Sequence, residues 1–287
     1  MSPNNLIHKM IQFYEKRHEE ERLEIGIGPI ERWRTKELIS SFIDKPSLHI
    51  ADVGGGIGEY GLWLASGGHR VDLFDLMARH IQIAKRRNQR AQRKMERIEK
   101  ADARKLNVDS GTYDLVVLHG PLYHFPSKKD RLMSLKEARR ILKDDGVLLS
   151  FGISYTASTI VGLHSGMIFE DNYLKMVTSE IETGLHLPPS NFPFLFVDGH
   201  FHRPRELETE IKEAGLIPRY SLAVEGSSWL VPDFHESWKD PEKRSVMLKV
   251  TRLLEKDCYN SPHFMVASTK LPERLLRRKL IQKSVKS

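Results

Sequence analysis

Ile50-Ala51-Asp52-Val53-Gly54-Gly55-Gly56-Ile57-Gly58 sets a short apolar strand directly against a run of glycines. Glycine lets the backbone turn tightly and approach a ligand closely. A helical pattern follows from Glu59, with Leu62, Trp63, Leu64 and Ala65, and stops at Gly67-Gly68, as helices commonly do at glycine. A junction of this kind aims the unpaired N–H groups of the helix's first turn at whatever fills the bend. In an open α/β sheet that crevice, at the carboxyl ends of the strands, takes a nucleotide-like molecule.

Working outward, strand-like and helix-like segments alternate. The apolar patterns predict strands at 48–53, 70–75, 97–101, 113–118 and 147–151, the fourth carrying the continuous run Leu115-Val116-Val117-Leu118 of a strand covered on both faces. Between them lie a basic helix after Asp75, a helix over 128–143 and a turn at Asp144-Asp145-Gly146. This alternation argues for a doubly wound parallel sheet. Upstream, Leu6, Met10, Phe13 and Tyr14 fall at helical spacing within 6–23. After a break at Gly26-Ile27-Gly28-Pro29, Ile30, Trp33, Leu38 and Phe42 mark a second helix, with proline well placed to start it. Asp44-Lys45-Pro46-Ser47 reads as a linker. Beyond 152 the regularity fails. One helix is expected at about 170–182, followed by a loop with Pro188, Pro189 and Pro193. Pro204 opens another helix, and strands at 216–224 and 263–269 flank a helix at about 241–256. The expected organisation is an N-terminal helical cap (1–45), a ligand-binding core (46–152), a cap or insertion over the acceptor site (153–200), completion of the core sheet (201–271) and a basic tail (272–287).

The 287 residues suit one elaborated domain, and the net charge is +7. The excess gathers in Lys85, Arg86, Arg87, Arg90, Arg93, Lys94 and Arg97 and in the tail, with Arg274, Arg277, Arg278, Lys279, Lys283 and Lys286. Such runs suit phosphates but equally form the wet faces of helices. The lone Cys258 leaves no disulfide framework. No apolar run reaches the roughly 18 residues of a membrane span, and the first residues lack a secretory pattern. A soluble cytoplasmic protein without a membrane partner is expected; the oligomeric state is unreadable.

The glycines alone leave two ligands open. Gly56-x-Gly58-x-x-Gly61 fits the dinucleotide fingerprint, which points to a nicotinamide or flavin enzyme. Against it, the match starts after Gly54-Gly55 have made the turn, and Asp52 at the strand's end would repel a pyrophosphate. S-adenosylmethionine (SAM) has no phosphate, and its sulfonium and ammonium groups favour a nearby carboxylate. Asp75, ending the second strand, is placed to accept from a ribose diol.

The order Asp-Val-Gly-Gly-Gly-Ile-Gly, then Asp75, then Ala101-Asp102-Ala103, then Tyr113-Asp114-Leu115-Val116-Val117, then Arg140 to Leu148 resembles the class I SAM-dependent methyltransferases across about 48–152. His119-Gly120-Pro121-Leu122-Tyr123-His124 resembles the Gly-Pro-Leu-Tyr-His motif of a bacterial branch. Phe201-His202-Arg203-Pro204-Arg205-Glu206-Leu207, Val224-Glu225-Gly226 with Trp229, and Ser261-Pro262-His263 extend the likeness over nearly the whole chain. The resemblance implies a Rossmann-like, doubly wound sheet of seven strands with the last antiparallel. It also implies SAM as cofactor, with S-adenosylhomocysteine (SAH) as product. By this likeness Asp52, Gly54, Gly55 and Gly56 border the methionine part, Asp75 holds the ribose, and Leu76 and Met77 flank the adenine. Asp102 and the Ala103 N–H meet the adenine edge, and His119 lies near the methionine end. It does not fix an acceptor, because fold and cofactor are shared across many.

Methyl transfer from a sulfonium needs alignment above all, and an oxygen or nitrogen acceptor that carries a proton also needs a base. His124, in the loop after the fourth strand, is the first candidate, with Tyr123 positioning the acceptor. His202 and His200 come next, against the competing reading that each of the 13 histidines is structural. No metal site is expected, since His200 and His202 alone are weak ligand evidence. Tyr14, Trp33 and Arg34 are expected to close over SAM, the aromatics through contact with the sulfonium, or else to pack the cap. Met167, Phe169, Phe192, Phe194 and Phe196 suit an apolar acceptor pocket or the cap's own core. The leading expectation is transfer to an oxygen or nitrogen of a small molecule. An RNA methyltransferase using the basic helix and tail is the rival, weakened by the lack of an Asn-Pro-Pro-Tyr-type loop and of a cysteine near the fourth strand. A SAM-binding protein without turnover is the third reading.

Overall fold

The computed structural model describes residues 9, 12–14, 19–192 and 195–271. Seven strands form the central sheet: β1 (His49–Val53), β2 (Arg70–Asp75), β3 (Arg97–Lys100), β4 (Tyr113–Leu118), β5 (Leu142–Ile153), β6 (Ile217–Ala223) and β7 (His263–Thr269). Their spatial order is β3-β2-β1-β4-β5-β7-β6. β1 is parallel to β2 and β4, while β7 runs antiparallel between β5 and β6. The chain reverses direction across the sheet between β1 and β4, so the carboxyl ends of these strands open onto one crevice.

Side chains alternate across the strands, which builds two cores. Ile50, Leu115, Val117, Leu149 and Phe151 face helices α1 (Gly28–Ser40), α2 (Glu59–Ser66) and α3 (Ala78–Arg90), meeting Leu38, Leu64 and Ile81. Ala51, Val53, Val116, Leu118 and Leu148 face α4 (Lys128–Ile141) and, through Leu207 and Ile211, the later helix that starts at Pro204. Strands buried on both faces account for the near-continuous apolar reading of β4.

The insertion differs from the sequence reading. It holds two helices, α5 (Ala157–Ser165) and α6 (Asp171–Thr183), rather than one. Gly166, at φ 79°, separates them, and the Gly162 position lies so close to the Tyr173 ring that a Cβ there would sit 2.4 Å from it. The β-branched run Thr159-Ile160-Val161 disguises α5 because such residues have weak helix propensity. A short hairpin pairs Leu185–His186 with Gly199–His200. The Asp144-Asp145-Gly146 segment is no free turn: β5 starts at Leu142 and carries it as a bulge, its register with β4 shifting between Tyr113 and Leu115. α7 (Pro204–Glu213) and α8 (Pro241–Leu253) lie where expected, and a further short helix, Phe234–Lys239, precedes α8.

Of the first expected helix, residues 9 and 12–14 are helical; Leu6, Met10, Pro193, Phe194 and the basic tail lie outside the described residues. Lys9 pairs with Asp198 at 2.7 Å, and Phe13 meets Phe196 edge-on at 6.1 Å. The N-terminal segment and the insertion thus join into one roof above Leu76 and Met77. No helix among the described residues is long and apolar enough to cross a membrane.

Candidate functional site

A cavity of about 400 Å³ opens at the carboxyl ends of β1, β2 and β4, under that roof. Its size suits a drug-sized ligand. Asp52, Gly54, Gly55, Gly56, Asp75, Leu76, Met77, Asp102, Ala103, His119, Tyr123, His124 and Tyr14 all line it.

The glycine turn is built to a tight tolerance. Gly54 sits at φ 79°, where a Cβ would come within 2.5 Å of both the His119 carbonyl and Pro121 Cδ. Gly56, at φ 55°, faces open space instead. Beneath them the Asp52 carboxylate is fully buried, and neither oxygen has a close hydrogen-bond partner. Burial and the charge of nearby Asp75, opposed by the Gly61 amide, push its pKa up to about 7. Sealed behind the glycine turn, this carboxylate acts on a ligand through its charge, which favours a cation in the cavity.

Two ends of the cavity differ in character. At one end Asp75 accepts from the Gly56 N–H at 2.9 Å and the Met77 N–H at 2.8 Å, with His80 Nδ1 at 3.1 Å. Burial disfavours a charged His80 ring, yet the hydrogen bond and charge of Asp75 outweigh it and raise its pKa. Tyr14 stacks edge-on over His80 and meets His124 Nε2 through its hydroxyl. Burial pushes His124 down to about 3, so its ring is neutral. Asp102 is engaged by Arg104, whose Nη2 lies 2.6 Å from Oδ2, and this pairing outweighs burial to hold the carboxyl below its ordinary range.

At the other end His119 lies between the rings of Tyr60 and Phe151, at 5.4 and 4.3 Å. Burial pushes it, too, down to about 3. Around it stand Arg22, Glu31 and His263, all lining the cavity. Arg22 Nη1 donates to both oxygens of Glu31 at 3.0 Å. His263 Nδ1 lies 2.7 Å from an oxygen of the fully buried Glu225.

Four expected residues are not brought to the cavity. Arg34 is completely buried elsewhere, pairing with Glu37 and Glu255 and donating to the Val224 carbonyl; it anchors α1 to the later part of the chain. His202 is buried beneath α7, with Nε2 3.3 Å from Glu210, which Arg131 also holds. His200 pairs with Glu206 beside it. Trp33 is exposed and meets Trp238 edge-on, outside the cavity lining. Of the apolar insertion residues, Phe196 lines the cavity, Met167 and Phe192 pack around Tyr173, and Phe169 is exposed.

Arg22, Glu31, Tyr60, His80 and His263 are among the lining residues to which the sequence assigns no role. Arg22 and Glu31 fall in a stretch dense in charge, which reads as a solvated face. Glu225 and His263 fall in Val224-Glu225-Gly226 and Ser261-Pro262-His263, far apart in the chain.

Comparison with known proteins bears on the fold that carries this cavity. Residues 50–146 match the family described as a methyltransferase domain. No curated protein matches the chain. A SAM-dependent methyltransferase of Methanosarcina mazei superposes with a TM-score of 0.57 at 19% identity, covering 81% of this chain and 96% of that one. One of Thermotoga maritima, described as a possible histamine N-methyltransferase, gives 0.55 at 17%, covering 91% and 100%. The CcbJ methyltransferase of Streptomyces caelestis gives 0.55 at 12%, covering 91% and 96%. The fold is therefore that of the SAM-dependent methyltransferases: Rossmann-like, with a seven-stranded sheet whose last strand is antiparallel.

Proposed function

We propose that this chain is a SAM-dependent methyltransferase acting on an oxygen or nitrogen of a small-molecule acceptor. The observation that carries the reading is the Asp52 carboxylate, buried and without a close partner beneath a glycine turn that opens at Gly56. A ligand with cationic groups and no phosphate suits it, and a pyrophosphate does not. When bound, SAM supplies an activated methyl on a sulfonium and leaves as a neutral thioether.

The residues divide the work as follows. Asp52, Gly54, Gly55 and Gly56 border the methionine part. Asp75, its two oxygens already set by the Gly56 and Met77 amides, retains lone pairs for the ribose diol. Leu76 and Met77 flank the adenine, and Asp102 and the Ala103 N–H meet its edge, with Arg104 fixing the carboxylate. His119 bounds the methionine end. Tyr14, His124 and Phe196 close the roof and exclude water, which strengthens charge interactions within. Tyr123, lining the cavity near both Arg22 and Asp75, positions the acceptor. With Nε2 turned to Tyr14, His124 fits the roof better than the role of base. The roofed cavity favours a small acceptor over a polynucleotide. The charges from Lys85 to Lys94 suit a solvated face, with Arg87 paired to Glu59.

Calorimetric titration with SAM, SAH and NADH tests this, beside Asp75→Ala. Micromolar binding of the first two, lost in the variant, supports it. Tight NADH binding, or none of SAM or SAH, overturns it.

A further inference from the structure

We propose that His263, oriented by Glu225, is the base that takes the acceptor's proton; this rests on the methyltransferase reading above. The dyad starts from the fold. His263 opens β7, paired with Ile153 at the end of β5, which brings its ring to the cavity wall. Glu225 follows β6 and is fully buried. One Glu225 oxygen lies 2.7 Å from His263 Nδ1; the other accepts the His263 backbone N–H at 2.9 Å and the Ser261 hydroxyl at 3.1 Å.

A carboxylate can only accept, so Nδ1 carries the proton and Nε2 presents a lone pair. Nε2 has no partner among the described residues, while the side chain keeps 16% exposure, inside the cavity lining. A carboxylate behind a histidine, with the far nitrogen aimed at the reaction space, is the arrangement of an oriented general base. Of the other three histidines in the cavity, His80 also has a carboxylate at Nδ1, Asp75 at 3.1 Å, but its Nε2 is fully buried rather than open to the cavity. The remaining two have no carboxylate behind the ring among the described residues: His124 is bonded to Tyr14, and the His119 ring stacks between Tyr60 and Phe151.

The groups facing His263 are Glu225, Glu31, Arg22 and His119. Burial disfavours its charged form, but the charges of Glu225 and Glu31 overcome this and raise its pKa. The imidazolium formed on proton transfer is thus stabilised where it arises. In the step, a lone pair of the acceptor's oxygen or nitrogen takes the methyl, and the pair of the broken methyl–sulfur bond stays on sulfur. The acceptor's proton passes to His263 Nε2 and leaves to solvent with the product.

Oxygens of Glu31 and Glu225 and a ring nitrogen of His263 lie within 4.8 Å of one another, so a metal ion is the competing occupant. Both Glu31 oxygens are held by Arg22, whose charge opposes a second cation there. The structure favours the base.

The test uses the full chain saturated with SAH, its imidazoles labelled with nitrogen-15. NMR is expected to show His263 protonated at Nδ1 and titrating at Nε2, with its pKa raised from the ordinary histidine value. Glu225→Gln should lower its proton affinity about tenfold, one unit of pKa. As a second readout, 4-nitrophenol, added at a pH below its own ionisation, should show a rise in the nitrophenolate band. His263→Gln should abolish that rise, and this variant decides if Glu225→Gln fails to fold. A His263 that titrates normally in both proteins, or no nitrophenolate rise, overturns the proposal. So does tight binding of Mg²⁺ or Mn²⁺ alone that Glu31→Gln removes. SAH calorimetry on the same samples separates the two claims, since loss of SAH binding by the unaltered chain counts against the methyltransferase reading instead.

Discussion

The Tyr14 hydroxyl lies 3.0 Å from Nε2 of His124, tying the N-terminal segment to the helical turn Pro121–His124 that follows β4. The same Tyr14 ring covers His80, which holds Asp75. One phenol therefore links the roof to two walls of the cavity. Burial comes first among the causes that raise its pKa well above the usual tyrosine value, so it stays protonated and able to donate.

Tyr14→Phe keeps the ring and removes the hydrogen bond. A typical bond contributes about 1 kcal/mol, so SAH affinity should fall about fivefold. The melting temperature without ligand should barely move, because the roof is a local element. Calorimetry and thermal denaturation on the same protein separate the two effects, and an unchanged SAH affinity would remove Tyr14 from the binding site.

Asp52 gives a pH dependence of known sign. Its pKa is raised from 3.8 to about 7 by burial and Asp75. The native state therefore favours the protonated form, and this contribution is fully present below pH 3.8 and lost as pH rises through 7. Asp52→Asn cannot ionise, so its melting temperature should gain on the unaltered chain as pH rises. The difference should be near zero at pH 4 and reach roughly 5–10 °C at pH 8. SAM affinity should fall in the variant over the same range, where the carboxylate is charged. Parallel melting curves at both pH values would contradict the assignment.

Arg34 separates structure from function. Removing one partner of a buried ion pair costs about 3–5 kcal/mol, and Arg34 joins α1 to Glu255 and the Val224 carbonyl. Arg34→Ala should lower the melting temperature by about 10 °C. The folded fraction should still bind SAH with the original affinity, because the side chain does not reach the cavity. A selective loss of SAH binding at unchanged stability would return Arg34 to the site.

What the chain makes legible follows the range of the forces involved. β1, the glycine turn and α2 are local: strand pattern, turn chemistry and helix stop all lie within one short stretch, and the residues on it reach the cavity as expected. The places of Arg34 and His202 are not legible, because their partners, Glu255 and Glu210, are set by tertiary packing. Glu225 and His263 come together only because β7 pairs between β5 and β6, a contact no local pattern announces. Helix α5 is hidden by the weak propensity of its β-branched run, while the contact of Gly162 with Tyr173 is tertiary.

Gly54 and Gly56 look alike in sequence and should respond differently to alanine. Both hold positive φ, at 79° and 55°, a strain of roughly 1–2 kcal/mol for any residue with a Cβ. At Gly54 the methyl also meets the His119 carbonyl and Pro121 ring at 2.5 Å, and neither can move without displacing β4's end. Gly54→Ala should therefore lose several kcal/mol, seen as a drop in melting temperature of roughly 10 °C or more. At Gly56 nothing lies within 4 Å, so Gly56→Ala should cost only the strain, a few degrees. Its methyl enters the space assigned to the ligand, and SAM and SAH affinity should fall at least about tenfold, more than the small stability loss explains. Equal stability losses would mean the turn has no ligand-facing side, and intact SAH binding by Gly56→Ala would place the ligand elsewhere in the cavity.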